Sequence, residues 1–315
     1  MHQKCKNVHI ECILVDDCSP DSSISIVDEL IHEYSGNVQF KIVRHNNNLG
    51  LSAARNTGIK HASGDYLFFL DSDDYITEDC MQILTDIVKS DPQIEVVRGN
   101  HIGRVKINFA KIPPTPINND TILELFYLSL IPTMAWNTLI KKSIIKKWNI
   151  SFQLGLLYED VLWSVHLFRH TNSFLLVPSI TYHYEANPES ITGDQETPLQ
   201  YKHFSHYIVI VDELLNIFDT KHFVPYTRFI VSFLIQMFDC IFKKGDDYNN
   251  YKHVLQLRNR LMIITLKHFR IILAIYELLL FMPVAKLIRY HFFRCHFYRI
   301  EKYTYIIAKT FDKLH

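Results

Sequence analysis

The strongest constraint on this chain is a repeated pattern: a short apolar run ends in aspartates, and an amphipathic stretch follows. Ile10-Glu11-Cys12-Ile13-Leu14-Val15 reads as a strand that stops at Asp16-Asp17. Ser19 to Tyr34 reads as a helix with Asp21 or Ser22 as its N-cap, and Ile24, Val27, Leu30 and Ile31 fall on one face. Phe40 to Val43 is a second strand and Leu51 to Ala62 a second, Ala-rich helix. Asp65 to Leu70 is a third strand ending at Asp71, a third helix covers roughly Glu78 to Lys89, and Glu95-Val96-Val97 opens another strand. Strands this uniformly apolar, alternating with helices, predict an α/β fold with a mostly parallel sheet covered on both faces.

After the loop at Pro113-Pro114-Thr115-Pro116, short helices and strands run to about Ile191, and from Pro198 the pattern turns helical. The boundary falls between Gly193 and Pro198, which predicts two domains, residues 1–195 and 196–315. Charge follows the same division. The 315 residues carry no net charge, yet from Lys221 onward the chain is +10 and the first 220 residues are −10. An acidic front and a basic back point to different tasks. Six cysteines without CxxC spacing read as reduced thiols in a cytosolic protein, and the start lacks the apolar run of a signal peptide. The most apolar stretch, Ile271 to Ala285, contains Glu277 and Pro283 and falls short of the roughly 20 apolar residues of a spanning helix.

Two acidic clusters, Asp16-Asp17 and Asp71-Ser72-Asp73-Asp74, stand at the carboxyl ends of predicted parallel strands, where open α/β sheets bind ligands. Three aspartates within four residues repel one another, and a divalent cation relieves that repulsion. Hard oxygen ligands suit Mg²⁺ or Mn²⁺, which can also hold a diphosphate as it leaves. The same residues also read as a polar turn capping the next helix. Between the clusters, an Asn/Gly turn enters a helix that carries Arg55 and Asn56 one turn in. Arg suits bidentate contacts with phosphate or a base edge, though taken alone Arg55 reads sooner as a solvent-facing cation.

Leu14-Val15-Asp16-Asp17-Cys18-Ser19, then Gly50-Leu51-Ser52-Ala53-Ala54-Arg55-Asn56-Thr57-Gly58, then Phe69-Leu70-Asp71-Ser72-Asp73-Asp74 together resemble the family 2 glycosyltransferases of GT-A fold, in order and in spacing. The resemblance spans roughly residues 8 to 192 and implies a set of roles. Asp17 would recognise the nucleotide base, uracil by preference, with Arg55 nearby. Asp71 and Asp73 would be the DxD pair that holds Mn²⁺ or Mg²⁺ and the diphosphate of a UDP-sugar. Ala135-Trp136-Asn137 and Tyr158-Glu159-Asp160 resemble acceptor-side motifs, with Asp160 as general base and Glu159 its partner. Glu159-Asp160 reads otherwise as acidic residues complementing a helix N-terminus, and Trp136 as either an acceptor platform or core. Tyr182-His183-Tyr184, with Asn187 and Ser190-Ile191, resembles the motif that closes the catalytic domain.

Two departures stand out. Where the family often has Lys two positions after the Trp, this chain has Thr138, with Lys141 and Lys142 following. The family also opens with a strand and helix ahead of the Asp-Asp strand, and only about nine residues precede that strand here. That first strand lies between those ending at Asp17 and Asp71, so its loss leaves backbone groups unpaired at about 1–3 kcal/mol each. The expectation is therefore a displaced start, a truncated copy or an inactive GT-A binding protein, set beside the working transferase.

The tail interleaves bases and aromatics, Lys267-His268-Phe269-Arg270 and Arg289-Tyr290-His291-Phe292-Phe293-Arg294. It reads as an amphipathic helix on an anionic membrane face, which suits a peripheral enzyme with a lipid-linked acceptor, or else as a bundle packed with its charges in water. No module for nucleic acid is recognisable, and His291, Cys295 and His296 lack a fourth ligand in a metal-binding pattern. A dinucleotide-dependent oxidoreductase is disfavoured because no GxGxxG follows a strand. The reading is an inverting transferase moving a sugar from a nucleotide-sugar to a saccharide or lipid-linked acceptor in cell-surface polysaccharide synthesis.

Overall fold

The structure, a computed structural model, describes residues 3–103, 106–185, 204–244 and 248–268. The chain divides into two compact units, Met1–Leu199 and Gln200–His315.

The first unit begins as the apolar runs dictate. Strand β1 (Ile10–Asp16) pairs in parallel with β2 (Val38–Arg44), joined through helix α1 (Ser23–His32). Helix α2 (Leu51–His61) follows and packs on β1, where Gly58 comes close to Val15. The α1 helix starts later than its sequence suggests. Asp21 accepts from the Ser23 N–H, while Ser22 at the N-cap makes no side-chain cap bond, so the first residues form a turn instead.

Strand β3 (Tyr66–Phe68), the short β4 (Tyr75–Ile76), helix α3 (Cys80–Ser90) and strand β5 (Val96–Ile102) come next. Then follow β6 (Ile117–Asn118), α4 (Asn119–Tyr127), β7 (Thr138–Lys141), α5 (Lys142–Trp148), α6 (Glu159–Arg169) and β8 (Ser173–His183). These later strands form a mixed six-stranded sheet ordered β3-β7-β5-β8-β4, with β6 against β8. Only β5–β8 is parallel in it; β7 lies antiparallel between β3 and β5. The α/β class therefore holds, while the parallel character is confined to β1–β2 and β5–β8. Apolar strands buried on both faces look alike in either direction, so the sequence pattern does not distinguish them.

β1 pairs only with β2, and β3 only with β7, so no strand pairing joins the strand ending at Asp17 to the one leading to Asp71 among the described residues. The contrast in burial is clear. All seven residues of β1 are half-buried and α1 buries none, whereas Val96 and Val97 of β5 are fully buried. The main core lies around α3, whose Cys80, Met81, Leu84 and Val88 pack on Ile94, Val97 and Leu139. Apolar residues at that helical spacing form the stripe that drives α3 onto the sheet.

β5 needs a glycine. The β5–β8 register shifts around Gly99, and a Cβ there would meet Thr181 Oγ1 at 1.8 Å. Beside it Asn137 Nδ2 donates to the Gly99 and Asn100 carbonyls at 2.9 and 3.1 Å, and Thr181 donates to Asn137 Oδ1 at 2.7 Å. This closed polar knot is buried and satisfied, which is what the interior requires of polar groups.

The second unit holds α7 (Phe204–Asn216), α8 (Phe223–Lys244) and α9 (Tyr248–Lys267), which pack on one another. Ile210, Val211 and Leu214 meet an interior that includes Tyr226, Ile230, Leu234, Val254 and Leu261. Pro225 sits in the first turn of α8, where a missing N–H leaves no helical bond unmade. Among the described residues no helix is long and apolar enough to cross a membrane. The basic stretches beyond His268, with His291, Cys295 and His296, and the residues Asn187 and Ser190-Ile191 lie outside the described residues.

Candidate active site

At the end of β1, Asp17 is held from three directions. Leu49 N–H donates to Oδ1 at 2.9 Å, Gly50 N–H donates to Oδ2 at 2.7 Å, and His45 Nδ1 meets Oδ1 at 2.6 Å. Desolvation opposes its charge, but the bonds from His45, Leu49 and Gly50 outweigh this and hold its pKa below the ordinary carboxylate value. Gly50 caps α2 at φ 88°, a left-handed conformation that L side chains rarely adopt, and so aims its N–H at the carboxylate.

Arg55 does not face solvent. From α2 it donates to Asp71 Oδ1 at 2.7 Å and to Glu159 Oε1 at 2.6 Å, with its guanidinium 5.2 Å from the centre of the Phe152 ring. Burial opposes its charge, and Asp71 and Glu159 overcome that to raise its pKa. It thus ties the acidic loop after β3 to the start of α6. Its neighbour Asn56 exchanges two bonds with the Phe152 backbone, both 2.8 Å, and anchors the loop that leads to Glu159.

The loop Asp71-Ser72-Asp73-Asp74 closes on itself through Asp74 N–H to the Asp71 carbonyl at 3.2 Å. Tyr182 accepts from Asp71 N–H at 3.3 Å and donates to Asp74 Oδ2 at 2.6 Å, and Glu185 N–H donates to Asp74 Oδ1 at 2.8 Å. Desolvation first, and then the charges of Asp73 and Asp71, raise the Asp74 pKa despite the bonds from Tyr182 and Glu185. Asp73 is exposed, and Asp71 is partly exposed with its Oδ1 taken by Arg55. Among the described residues no group of three or more His, Cys, Asp or Glu is arranged to hold a metal by itself. Two carboxylates fit an ion that keeps waters and takes its remaining ligands from a bound diphosphate.

Glu159 and Asp160 both fall in the first turn of α6, after Tyr158 in a left-handed conformation. Glu159 is buried against Arg55, and Asp160 is partly exposed. Trp136 is core: it is 3% exposed and stacks on Tyr182 with centroids 4.5 Å apart. Thr138 is buried as well, accepting from Arg98 Nε at 2.8 Å, while Lys141 and Lys142 donate to the Pro92 and Ala62 carbonyls.

Arg98 was not among the residues singled out above. It is fully buried, donates to the Pro132 and Met134 carbonyls at 2.7 and 2.9 Å, and lies over the Phe168 and Phe174 rings. Burial pushes its pKa down to about 9, which leaves it a cation at neutral pH. It fastens the loop before Trp136, which in turn backs Tyr182 and the acidic loop. A lone Arg within an apolar strand is the only sign of it in the sequence.

Among the described residues, helix α2 therefore links Asp17, bonded by Gly50 at its N-cap, with the Asp71-Ser72-Asp73-Asp74 loop and the acidic start of α6, both held by Arg55. A family model described as glycosyl transferase family 2 matches residues 2–148, and relatives that the chain resembles are named glycosyltransferases.

The chain is 27% identical over 238 residues to the uncharacterized glycosyltransferase EpsJ of Bacillus subtilis (strain 168), covering 69% of this chain and 68% of that protein. It is 26% identical over 195 residues to the poly(ribitol-phosphate) beta-N-acetylglucosaminyltransferase TarP of Staphylococcus aureus (strain N315), covering 59% of this chain and 56% of that one. Two other curated relatives are matched over 51% and 54% of their length. The crystal structure of S. aureus TarS 1-349 shares the fold, with TM-score 0.59 at 17% identity over 83% of this chain and 73% of that one. The alternative of an inactive, truncated relic gains no support from these relatives.

Proposed function

We propose that the chain performs an inverting transfer from a UDP-sugar to a saccharide or lipid-linked acceptor of a cell-surface polymer, working at the anionic inner face of the membrane. The observation that carries this reading is the Arg55 bridge, which holds the diaspartate loop and the start of α6 together. Inverting transfer is one in-line displacement, and it needs a leaving-group site and a base on opposite sides of a single carbon. Support for the nucleotide comes from the TarS structure of like fold, solved in complex with UDP. Support for the acceptor class comes from relatives named for poly(ribitol-phosphate) and minor teichoic acid biosynthesis.

Asp17, kept ionised, accepts the imide N–H of uracil. Asp71 and Asp73 would hold Mn²⁺ or Mg²⁺ with the donor diphosphate, where the ion stabilises the charge on the leaving phosphate. Asp160 removes the proton from the acceptor hydroxyl as the new glycosidic bond forms. Glu159, neutralised by Arg55, keeps the first turn of α6 in place beside it. The basic stretch from Lys221 onward supports the membrane placement, each Lys or Arg near an anionic surface contributing roughly 1 kcal/mol.

Calorimetric titration of UDP with Mn²⁺, beside an Asp71→Asn/Asp73→Asn double variant, tests the donor site. Metal-dependent binding that the double variant loses is the expected result. Absence of binding by the unaltered chain would remove the reading.

A further inference from the structure

The Asp17 carboxylate rests on a relay whose outer members, His45 and Thr57, have no role in the reading above. His45 follows β2 and is nearly buried, its side chain 9% exposed. Its Nδ1 lies 2.6 Å from Asp17 Oδ1 and its Nε2 lies 2.9 Å from Thr57 Oγ1 on α2. Asp17 is ionised, so Nδ1 carries the proton and donates. In neutral imidazole Nε2 then accepts from the Thr57 hydroxyl, which fixes both the ring plane and the tautomer. His45 N–H also donates to the Asp16 carbonyl at 2.9 Å, so the ring is registered to β1 by its own backbone.

The consequence lies on Asp17. Oδ1 takes two donors, His45 and Leu49, while among the described residues Oδ2 takes only Gly50 N–H. An ionised carboxylate is an acceptor only, so the remaining position on Oδ2 demands a donor. Uracil presents one at N3–H; cytosine presents a lone pair at N3 and is repelled. A polar site discriminates strongly between such partners because the mismatch leaves a desolvated group unpaired.

We propose that His45, braced by Thr57, is a positioning and specificity-determining residue: it holds Asp17 as a fixed, acceptor-only carboxylate that selects a nucleobase with an imide N–H. The proposal rests on the reading of Asp17 as the base-recognising group.

The test is calorimetry with UDP, CDP and pyrophosphate, each with Mn²⁺, on the unaltered chain and on His45→Ala, His45→Asn and Thr57→Val, with cooperative melting as the check of folding. In His45→Ala, UDP affinity should fall about tenfold, the size of one hydrogen bond to a charged group. Pyrophosphate affinity should stay within about twofold, so the preference for UDP over CDP collapses. Thr57→Val should shift the same ratio by a smaller factor. His45→Asn places an amide N–H near the position of Nδ1 and should restore part of the preference. Should His45→Ala fail to fold, the UDP-to-CDP ratio of Thr57→Val decides alone. An unchanged ratio in folded variants, or an equal loss for UDP, CDP and pyrophosphate, overturns the specificity role and leaves the donor site standing. Failure of the unaltered chain to bind UDP removes the donor-site reading and this proposal with it.

Discussion

Asp160 occupies the first turn of α6, where the helix dipole favours its charge, and it is partly exposed beside a buried Glu159. On the proposed role of Asp160 in taking the acceptor proton, its replacement should act on turnover and not on donor binding. Asp160→Asn is expected to lower the transfer rate by about 10²–10⁴ with UDP affinity unchanged, measured by donor turnover beside calorimetry. Arg55 belongs to a different category. Its side chain and that of Glu159 are each 9% exposed, so Arg55→Met strands a buried carboxylate. The expected loss is about 3–5 kcal/mol of stability, read from denaturant unfolding, larger than for any exposed ion pair such as Arg44–Asp28. Asp17, Asp71, Asp73, Glu159 and Asp160 could be picked out from the residues alone because each sits beside a strand end or a helix start. The Arg55 bridge could not, since its partners lie 16 and 104 residues away.

At the scale of elements, the first unit is unevenly supported. Among the described residues β1 and β2 have only each other as strand partners, and α1 between them buries no residue. β5 is paired on both sides and lies over the α3 core. Amide exchange should therefore be faster in β1, β2 and α1 than in β5, β7 and β8, because opening the first group exposes less apolar surface. Exchange followed by mass spectrometry checks this, and UDP binding should slow exchange in the turn from His45 to Gly50 if Asp17 meets the base. The elements themselves were legible from their periodicity. β4 and β6 were not: two residues each, they exist only because β8 offers them an edge.

For the whole molecule, acid stability follows from how Asp17 is held. Its folded pKa is depressed below the unfolded value of 3.8. The stability it contributes is therefore present above that value and is lost as pH falls through the lower, folded one. The melting temperature of the unaltered chain should exceed that of Asp17→Asn at neutral pH, and the gap should shrink once pH drops below about 3.8, as scanning calorimetry would show. The sequence alone settled the α/β class, the resemblance to family 2 glycosyltransferases and the choice of candidate carboxylates, because these depend on residue type and local spacing. The tertiary structure alone decided strand direction, the burial of Trp136, the place of Arg98 and the bridge from Asp71 through Arg55 to Glu159. Each of those depends on which distant segments exclude water together, and burial of that kind leaves no periodic trace along the chain.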